Sequence, residues 1–274
     1  MSVLPYQLTK TLLCSVNELQ GVSAVDPLYP LNTTINFKRN IEANTTPANL
    51  PTISYFGIGI NGFKNLNDQN LSAPYRPSSY NMDLYEPLPF RVVPASEDLT
   101  PVEQSQYRIR VLQEVNGEFY WCYYLKKLTI LGNRIKIVET NLTTGDETEL
   151  QVLDPDNLNP VPTITSAEGV VDATTSIGVH ILANLNITGA EVVEAINVLH
   201  NGNLLKAKIS EIGIYTGNDE VVNGDSGTGG SISYTEAIFT QLAYHYTNNG
   251  SDFSDIGRIE DISLRISGST AYLA

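Results

Sequence analysis

YRIRVLQEVNGEFYWCYYLKKL, residues 107–128, decides the fold class. Two runs of alternating apolar and polar residues flank Asn116-Gly117. A type I′ turn needs positive φ at both central positions, and Asn-Gly supplies it, so the stretch predicts a β-hairpin. A two-residue turn sets Val115 opposite Glu118, Leu112 opposite Trp121, Arg110 opposite Tyr123 and Arg108 opposite Leu125. One face then carries Phe119, Trp121, Tyr123 and Leu125 beside Arg108 and Arg110. Cross-strand aromatic and Arg–aromatic pairs contribute roughly 0.2–1 kcal/mol each. Such a face serves as core, as a sugar platform or as a protein interface, and Trp, Tyr and Arg are enriched in interface hot spots.

Working outward, Thr100-Pro101-Val102-Glu103 is a capping box with proline at the first helical position. After the hairpin, strands are expected at 128–131 and 134–139, joined by Gly132-Asn133, and Thr144-Gly145-Asp146 turns the chain into 147–153. This is an antiparallel meander. Upstream, 6–20 reads as a short helix with Leu8, Leu12, Leu13 and Val16 apolar and Gly21 as its stop, and 52–60 as a strand. Residues 22–50 are rich in Pro, Asn and Thr and read as extended. Residues 61–99 hold Pro74, Pro77, Pro87, Pro89 and Pro94 and read as a long coil, which a compact monomer rarely carries without reason.

DPDNLNPVPT, residues 154–163, reads as a linker. Beyond it, 176–184 and 204–215 are expected strands. Between them Thr188 and Glu191 form a second capping box, opening a helix with Val192, Ala195, Ile196 and Leu199 as its buried stripe and Asn201-Gly202 as its end. A Gly/Ser loop follows at 223–231, then a long strand or helix at 232–246 and a last strand at 262–267. The expectation is a β-rich α+β fold in two parts. Residues 1–160 form a β-rich domain with the hairpin, the meander and extended arms at 22–50 and 61–99; residues 161–274 form a smaller acidic α+β domain.

The charge pattern bounds the partners. Of 274 residues, 16 are Lys or Arg and 30 Asp or Glu, a net charge of −14. Such a surface repels phosphate backbones, so no nucleic-acid partner is expected. The imbalance is 12 against 17 in residues 1–161 and 4 against 13 in 162–274. No apolar run approaches about 18 residues, so no membrane span is expected. MSVLPYQLTKTLLCS lacks a basic region before its apolar stretch, so no signal peptide is expected. Cys14 and Cys122 stand far apart with no metal-ligand spacing and read as reduced thiols.

Three motifs imitate chemistry. ISYFGIGINGF, residues 53–63, places Gly57, Gly59 and Gly62 in the spacing G-x-G-x-x-G of dinucleotide sites. That chemistry needs a helix opening at the third glycine, and FKNLNDQNLSAP offers none. The other reading is a strand whose glycines admit a close backbone. Gly224-Asp225-Ser226-Gly227 resembles the surroundings of a serine nucleophile, without a histidine motif upstream. Asp154-x-Asp156 begins like a calcium loop, then places Leu158, Asn159 and Thr165 where ligands and the turn glycine belong. No catalytic residue, cofactor or metal site is expected.

AKISEIGIYTGND, residues 207–219, resembles a strand of the tail-fibre, baseplate and neck proteins of tailed bacteriophages, here Glu211-Ile212-Gly213-Ile214-Tyr215. NMDLYEPLPFRVVP (81–94) and EFYWCYYLKKL (118–128) are similar to phage virion proteins. The resemblance implies a structural subunit of the neck, tail or baseplate, with other virion subunits as partners and no catalysis. It implies a protein made in the host cytoplasm and located in the virion. Arg108, Arg110, Phe119, Trp121 and Tyr123 of the hairpin, with Glu211, Ile212, Gly213, Ile214 and Tyr215, are the interface candidates. The alternative is a glycan-binding, adhesin-like module using the aromatic hairpin face.

Overall fold

The computed structural model describes residues 7–11, 14, 35–41, 51–66, 71–150 and 175–269. The hairpin forms in the expected register. Strand β7 (Tyr107–Val115) pairs with β8 (Glu118–Lys127), with Arg108 opposite Leu125, Arg110 opposite Tyr123, Leu112 opposite Trp121 and Val115 opposite Glu118. Asn116 and Gly117 take φ of 54° and 85°, the conformation that an Asn-Gly pair accepts at little cost.

Around it the fold is β-rich with antiparallel sheets. Preceding the hairpin are β1 (Gln7–Lys10), α1 (Ile35–Lys38), β2 (Thr52–Gly59), β3 (Phe63–Leu66), β4 (Leu71–Pro74), β5 (Pro87–Leu88), β6 (Arg91–Pro94) and α2 (Pro101–Gln104). Following it are β9 (Thr129–Asn141), β10 (Glu147–Leu150), β11 (Thr175–Thr188), α3 (Gly189–Leu199), β12 (Lys208–Asp225), β13 (Ser231–Asp252) and β14 (Ile259–Ser269). The largest sheet runs β1-β13-β12-β2-β8-β6, with β5 joined to β2 and β7 joined to β8. A second sheet runs β10-β9-β11-β14, and β3 pairs with β4. Among the described residues no helix is long and apolar enough to cross a membrane.

Two compact units divide the chain, and they are not sequential halves. The first comprises Met1–Leu128 and Asn186–Glu260, the second Thr129–Leu185 and Asp261–Ala274. The boundary expected near residue 160 therefore gives way to an insertion. The expected linker at 154–163 lies outside the described residues, as does the calcium-like stretch from Asp154 to Thr165.

Within the first unit, β2 is interior to the sheet and its last five residues are buried. Phe56 meets Phe90 edge-to-face at 5.1 Å between ring centres, worth about 0.5–1.5 kcal/mol beyond burial. The capping box of α3 is present as expected, Thr188 accepting from Glu191 N. Val192, Ala195 and Ile196 are buried, while Leu199 is half-buried. The box at Thr100 also forms and opens the single turn of α2.

Several expectations change. Residues 7–10 form a strand rather than helix, because their backbone groups pair with Tyr244–Thr247 of β13. The expected strands 128–131 and 134–139 are one strand, β9. Gly132-Asn133 makes no turn; the pairing of β9 with β11 shifts register between His180 and Leu182, and the glycine lies opposite this bulge. The ambiguous stretch 232–246 is strand, within β13. The described part of 61–99 is tied to the body, through Ile60 N to Glu86 O, Phe90 N to Tyr123 O and Ala95 N to Phe119 O. Of the arm expected at 22–50, residues 22–34 and 42–50 lie outside the described residues.

Two strand residues carry strain. Ile109 and Phe239 both have positive φ, 57° and 55°, which costs a side chain with Cβ. Each is held by a buried polar group. The Asn36 amide bridges the kink at Phe239, donating to Ala237 O at 2.7 Å and accepting from Thr240 N at 2.6 Å. The kink at Ile109 turns the N–H groups of Ile109 and Arg110 toward the Glu236 carboxylate.

Candidate functional site

A carboxylate in the middle of an apolar strand must find donors or ionise at great cost. Glu211 lies in the buried run Ile209–Tyr215 of β12, opposite Gly59 of β2. Its Oε1 accepts from Asn61 N at 3.0 Å and Glu86 N at 3.2 Å, and its Oε2 from Tyr85 N at 2.7 Å. Oε2 also lies 3.1 Å from Nε2 of the fully buried His245. On the far side of that ring, Nδ1 lies 3.1 Å from the Asn81 amide nitrogen. With Asn81 donating to Nδ1, the imidazole carries its proton on Nε2 and donates to Glu211.

The glycines make room for this hub. A Cβ on Gly59 would stand 2.9 Å from both Glu211 Oε1 and Glu86 O. A Cβ on Gly62 would stand 2.2 Å from Ser210 O, and Gly62 N donates to Ser210 Oγ at 2.8 Å. Gly62 runs directly into β3, so no helix N-terminus stands there to receive a phosphate. G-x-G-x-x-G is here a strand end against which another backbone passes.

The same strand holds residues 81–94 at a second point. Tyr215 OH donates to Asp83 Oδ1 at 3.0 Å, and Asp83 also pairs with Lys38. Three sequence stretches, 53–63, 81–94 and 207–219, thus converge on the carboxylate of Glu211. The segment 75–85 exposes four large apolar side chains. Tyr75, Tyr80, Met82 and Tyr85 are 41 %, 76 %, 57 % and 42 % exposed. Tyr75 and Tyr85 meet edge-to-face at 5.9 Å, and Tyr85 lies 5.0 Å from the His245 ring.

Of the ten interface candidates, only Phe119 is exposed, at 52 %. Arg108, Arg110, Trp121, Tyr123, Glu211, Ile212, Gly213, Ile214 and Tyr215 are buried within the chain. The Arg110 guanidinium stacks 3.2 Å over the Trp121 ring and donates to Asp98 Oδ2 from Nε at 2.9 Å and Nη2 at 2.6 Å. Tyr123 OH donates to the other Asp98 oxygen at 2.6 Å. Arg108 forms a fork with Asp219 at 2.7 and 3.0 Å, and Lys127 and Tyr55 complete that carboxylate's partners. These contacts make the hairpin face core. The reason lies beyond the hairpin: Tyr234, Glu236 and Asp219 come from β12 and β13, more than a hundred residues later, and cover it.

Among the described residues no three His, Cys, Asp or Glu side chains converge to hold a metal. Ser226 Oγ is engaged by its own loop, accepting from Thr228 N and Gly230 N. Burial pushes the Cys122 thiol up to about 12, which keeps it protonated and inert. The exposed side chains of 75–85 and the Glu211–His245 pair escaped sequence reading. The available signals were the tyrosines clustered at 75–85 and the carboxylate within an apolar strand.

No curated protein and no solved structure matches the chain. Residues 5–264 match the family described as "Family of unknown function (DUF7208)", and the chain belongs to that family.

Proposed function

We propose that the chain is a structural subunit of a tailed-phage virion, at the neck, tail or baseplate, working by packing against other subunits rather than by catalysis. The observation that carries this reading is the exposure of Tyr75, Tyr80, Met82 and Tyr85 within a segment whose Tyr85 and Glu86 are anchored to the sheet through Glu211. Aromatic residues and Met are enriched at protein interfaces. A segment already held at Tyr85 and Glu86 by backbone bonds to a buried carboxylate loses less freedom on docking. Met82 and Tyr85 lie in 81–94, which is similar to phage virion proteins, and the anchoring Glu211 lies in 207–219, which resembles a strand of tail-fibre, baseplate and neck proteins. In this reading the part of the expected 61–99 arm that reaches a neighbour is the segment 75–85.

The glycan-binding alternative relied on the hairpin rings. Trp121 and Tyr123 offer no free face for a sugar, and Phe119 is the one exposed aromatic ring among the candidates there. The test is light scattering of the purified chain with and without Tyr80→Ser and Met82→Ser, together with mass spectrometry of gradient-purified virions from a phage encoding it. Assembly weakened by these substitutions, and the chain present in virions at fixed stoichiometry, support the reading. A chain absent from virions that binds glycan through Phe119 overturns it.

A further inference from the structure

Lys126, near the end of β8, extends its ammonium into a contact of unusual composition. Nζ lies 2.9 Å from Asn186 O, 3.4 Å from Asn186 Oδ1 and 2.7 Å from Glu191 Oε1. The Lys126 side chain is 13 % exposed and that of Glu191 8 %. Two rings enclose the amine, Phe90 at 5.6 Å and Tyr107 at 5.8 Å from Nζ. The carboxylate cannot swing away. Its Oε2 accepts from Thr188 N at 3.0 Å and Thr188 Oγ1 at 2.9 Å, and its Oε1 accepts from Tyr107 OH at 2.7 Å.

We propose that Lys126 and Asn186 form an intramolecular isopeptide bond, with Glu191 as the proton carrier. An amine, a carboxamide and a carboxylate within hydrogen-bond reach, shielded from water, are what this acyl transfer needs. Nζ is 3.4 Å from Oδ1, one bond from the carbon to be attacked. Glu191 takes a proton from the Lys126 ammonium. The neutral Nζ attacks Cγ of Asn186 and a C–N bond forms. Protons pass through Glu191 to the amide nitrogen, the Cγ–Nδ2 bond breaks, and the nitrogen leaves as ammonium. Glu191 ends ionised, as it began, and nothing is oxidised or reduced.

The placement gives the bond a mechanical consequence. The chain leaves the first unit after Leu128 and re-enters it at Asn186. A bond between residues 126 and 186 would staple the exit strand to the entry strand of the insertion, so that force applied to the inserted unit would not peel β8 from its sheet. The inference stands apart from the virion reading and rests on the contact alone.

The test is the intact mass of the purified full-length chain after incubation at mildly alkaline pH, followed by tandem mass spectrometry of a tryptic digest. The expected mass is lower than the sequence mass by one ammonia, with a joined peptide containing Lys126 and Asn186 and no cleavage after Lys126. Lys126→Arg, which keeps the ion pair, and Asn186→Ala are expected to show their full sequence mass. Glu191→Gln, which keeps a capping-box residue, is expected to slow the bond by at least about tenfold. A parent chain at full mass, with residues 126 and 186 on separate peptides, overturns the proposal. So does an ammonia loss that maps to any other asparagine.

Discussion

Oε2 of Glu211 and Nε2 of His245 lie 3.1 Å apart with neither side chain reaching solvent. The carboxylate also receives three backbone N–H groups, from Asn61, Tyr85 and Glu86. Removing one member of a buried charged constellation leaves the rest uncompensated. Glu211→Gln places an NH₂ donor among N–H donors and is expected to destabilise the first unit by about 3–5 kcal/mol. Urea unfolding followed by tryptophan fluorescence measures it, since Trp121 lies in that unit. A loss below about 1 kcal/mol would show that the site relaxes around an amide and that Glu211 is no hub.

Gly62 and Gly117 separate two reasons for glycine. A Cβ at Gly62 would meet Ser210 O at 2.2 Å, whereas one at Gly117 would meet nothing, at φ 85°. Gly62→Ala is expected to cost about 3 kcal/mol or more, because backbone must move. Gly117→Ala is expected to cost about 1–2 kcal/mol, the left-handed conformational penalty alone. Equal melting temperatures for the two variants would refute the close-approach account of the G-x-G-x-x-G stretch.

The Arg110 guanidinium stacks over Trp121, and the loop at Gly227 closes on its Nε1, which a Cβ on that glycine would approach to 2.8 Å. Trp121→Ala is expected to cost roughly 3–5 kcal/mol through lost transfer energy and the cavity left behind. Arg110→Ala should destabilise as well, because Asp98 then loses its forked partner. The measurement is the thermal midpoint of each variant beside Phe119→Ala, whose ring is half-exposed and whose loss should be small. A Phe119→Ala effect as large as that of Trp121→Ala would contradict the burial described here.

The local signals in this chain read well where one stretch contains its own partners. Asn116-Gly117 set the register of β7 and β8 because both strands adjoin the turn. Thr188 and Glu191 lie three residues apart and cap α3 as their spacing requires. Gly132-Asn133 carried a comparable signal and made no turn, because β11, distant in sequence, pairs with β9 on both sides of it and leaves only a bulge there. Residues 7–10 yielded likewise to the edge of β13. The hub at Glu211 depends on residues 61, 85, 86 and 245, and no window of the sequence spans them. Whether Arg108 and Arg110 face a neighbour or the chain's own carboxylates was equally a long-range question. Asp98 and Asp219 answer it.

Glu236 supplies the last prediction. Its buried carboxylate accepts from the N–H groups of Ile109, Arg110 and Ala237. Burial pushes its pKa up to about 7, against those three donors and the nearby Arg108, which favour the ionised form. A folded-state pKa raised above the unfolded value means stability that is complete below about 4.5 and lost as pH rises through about 7. The loss amounts to roughly 3 kcal/mol at one pKa unit per 1.36 kcal/mol. Asp219 acts in the opposite sense: its carboxyl is held well below the usual range by Arg108, Lys127 and Tyr55, against the opposing effect of burial. Its contribution is present above the ordinary carboxylate range and fades as pH falls below it. The first unit should therefore be most stable in mildly acidic solution, with stability declining toward neutrality. Glu236→Gln should flatten that decline whatever its effect on absolute stability. Urea titrations at intervals between pH 4 and pH 8 read the slope, and an unchanged slope in the variant would assign the decline to another group.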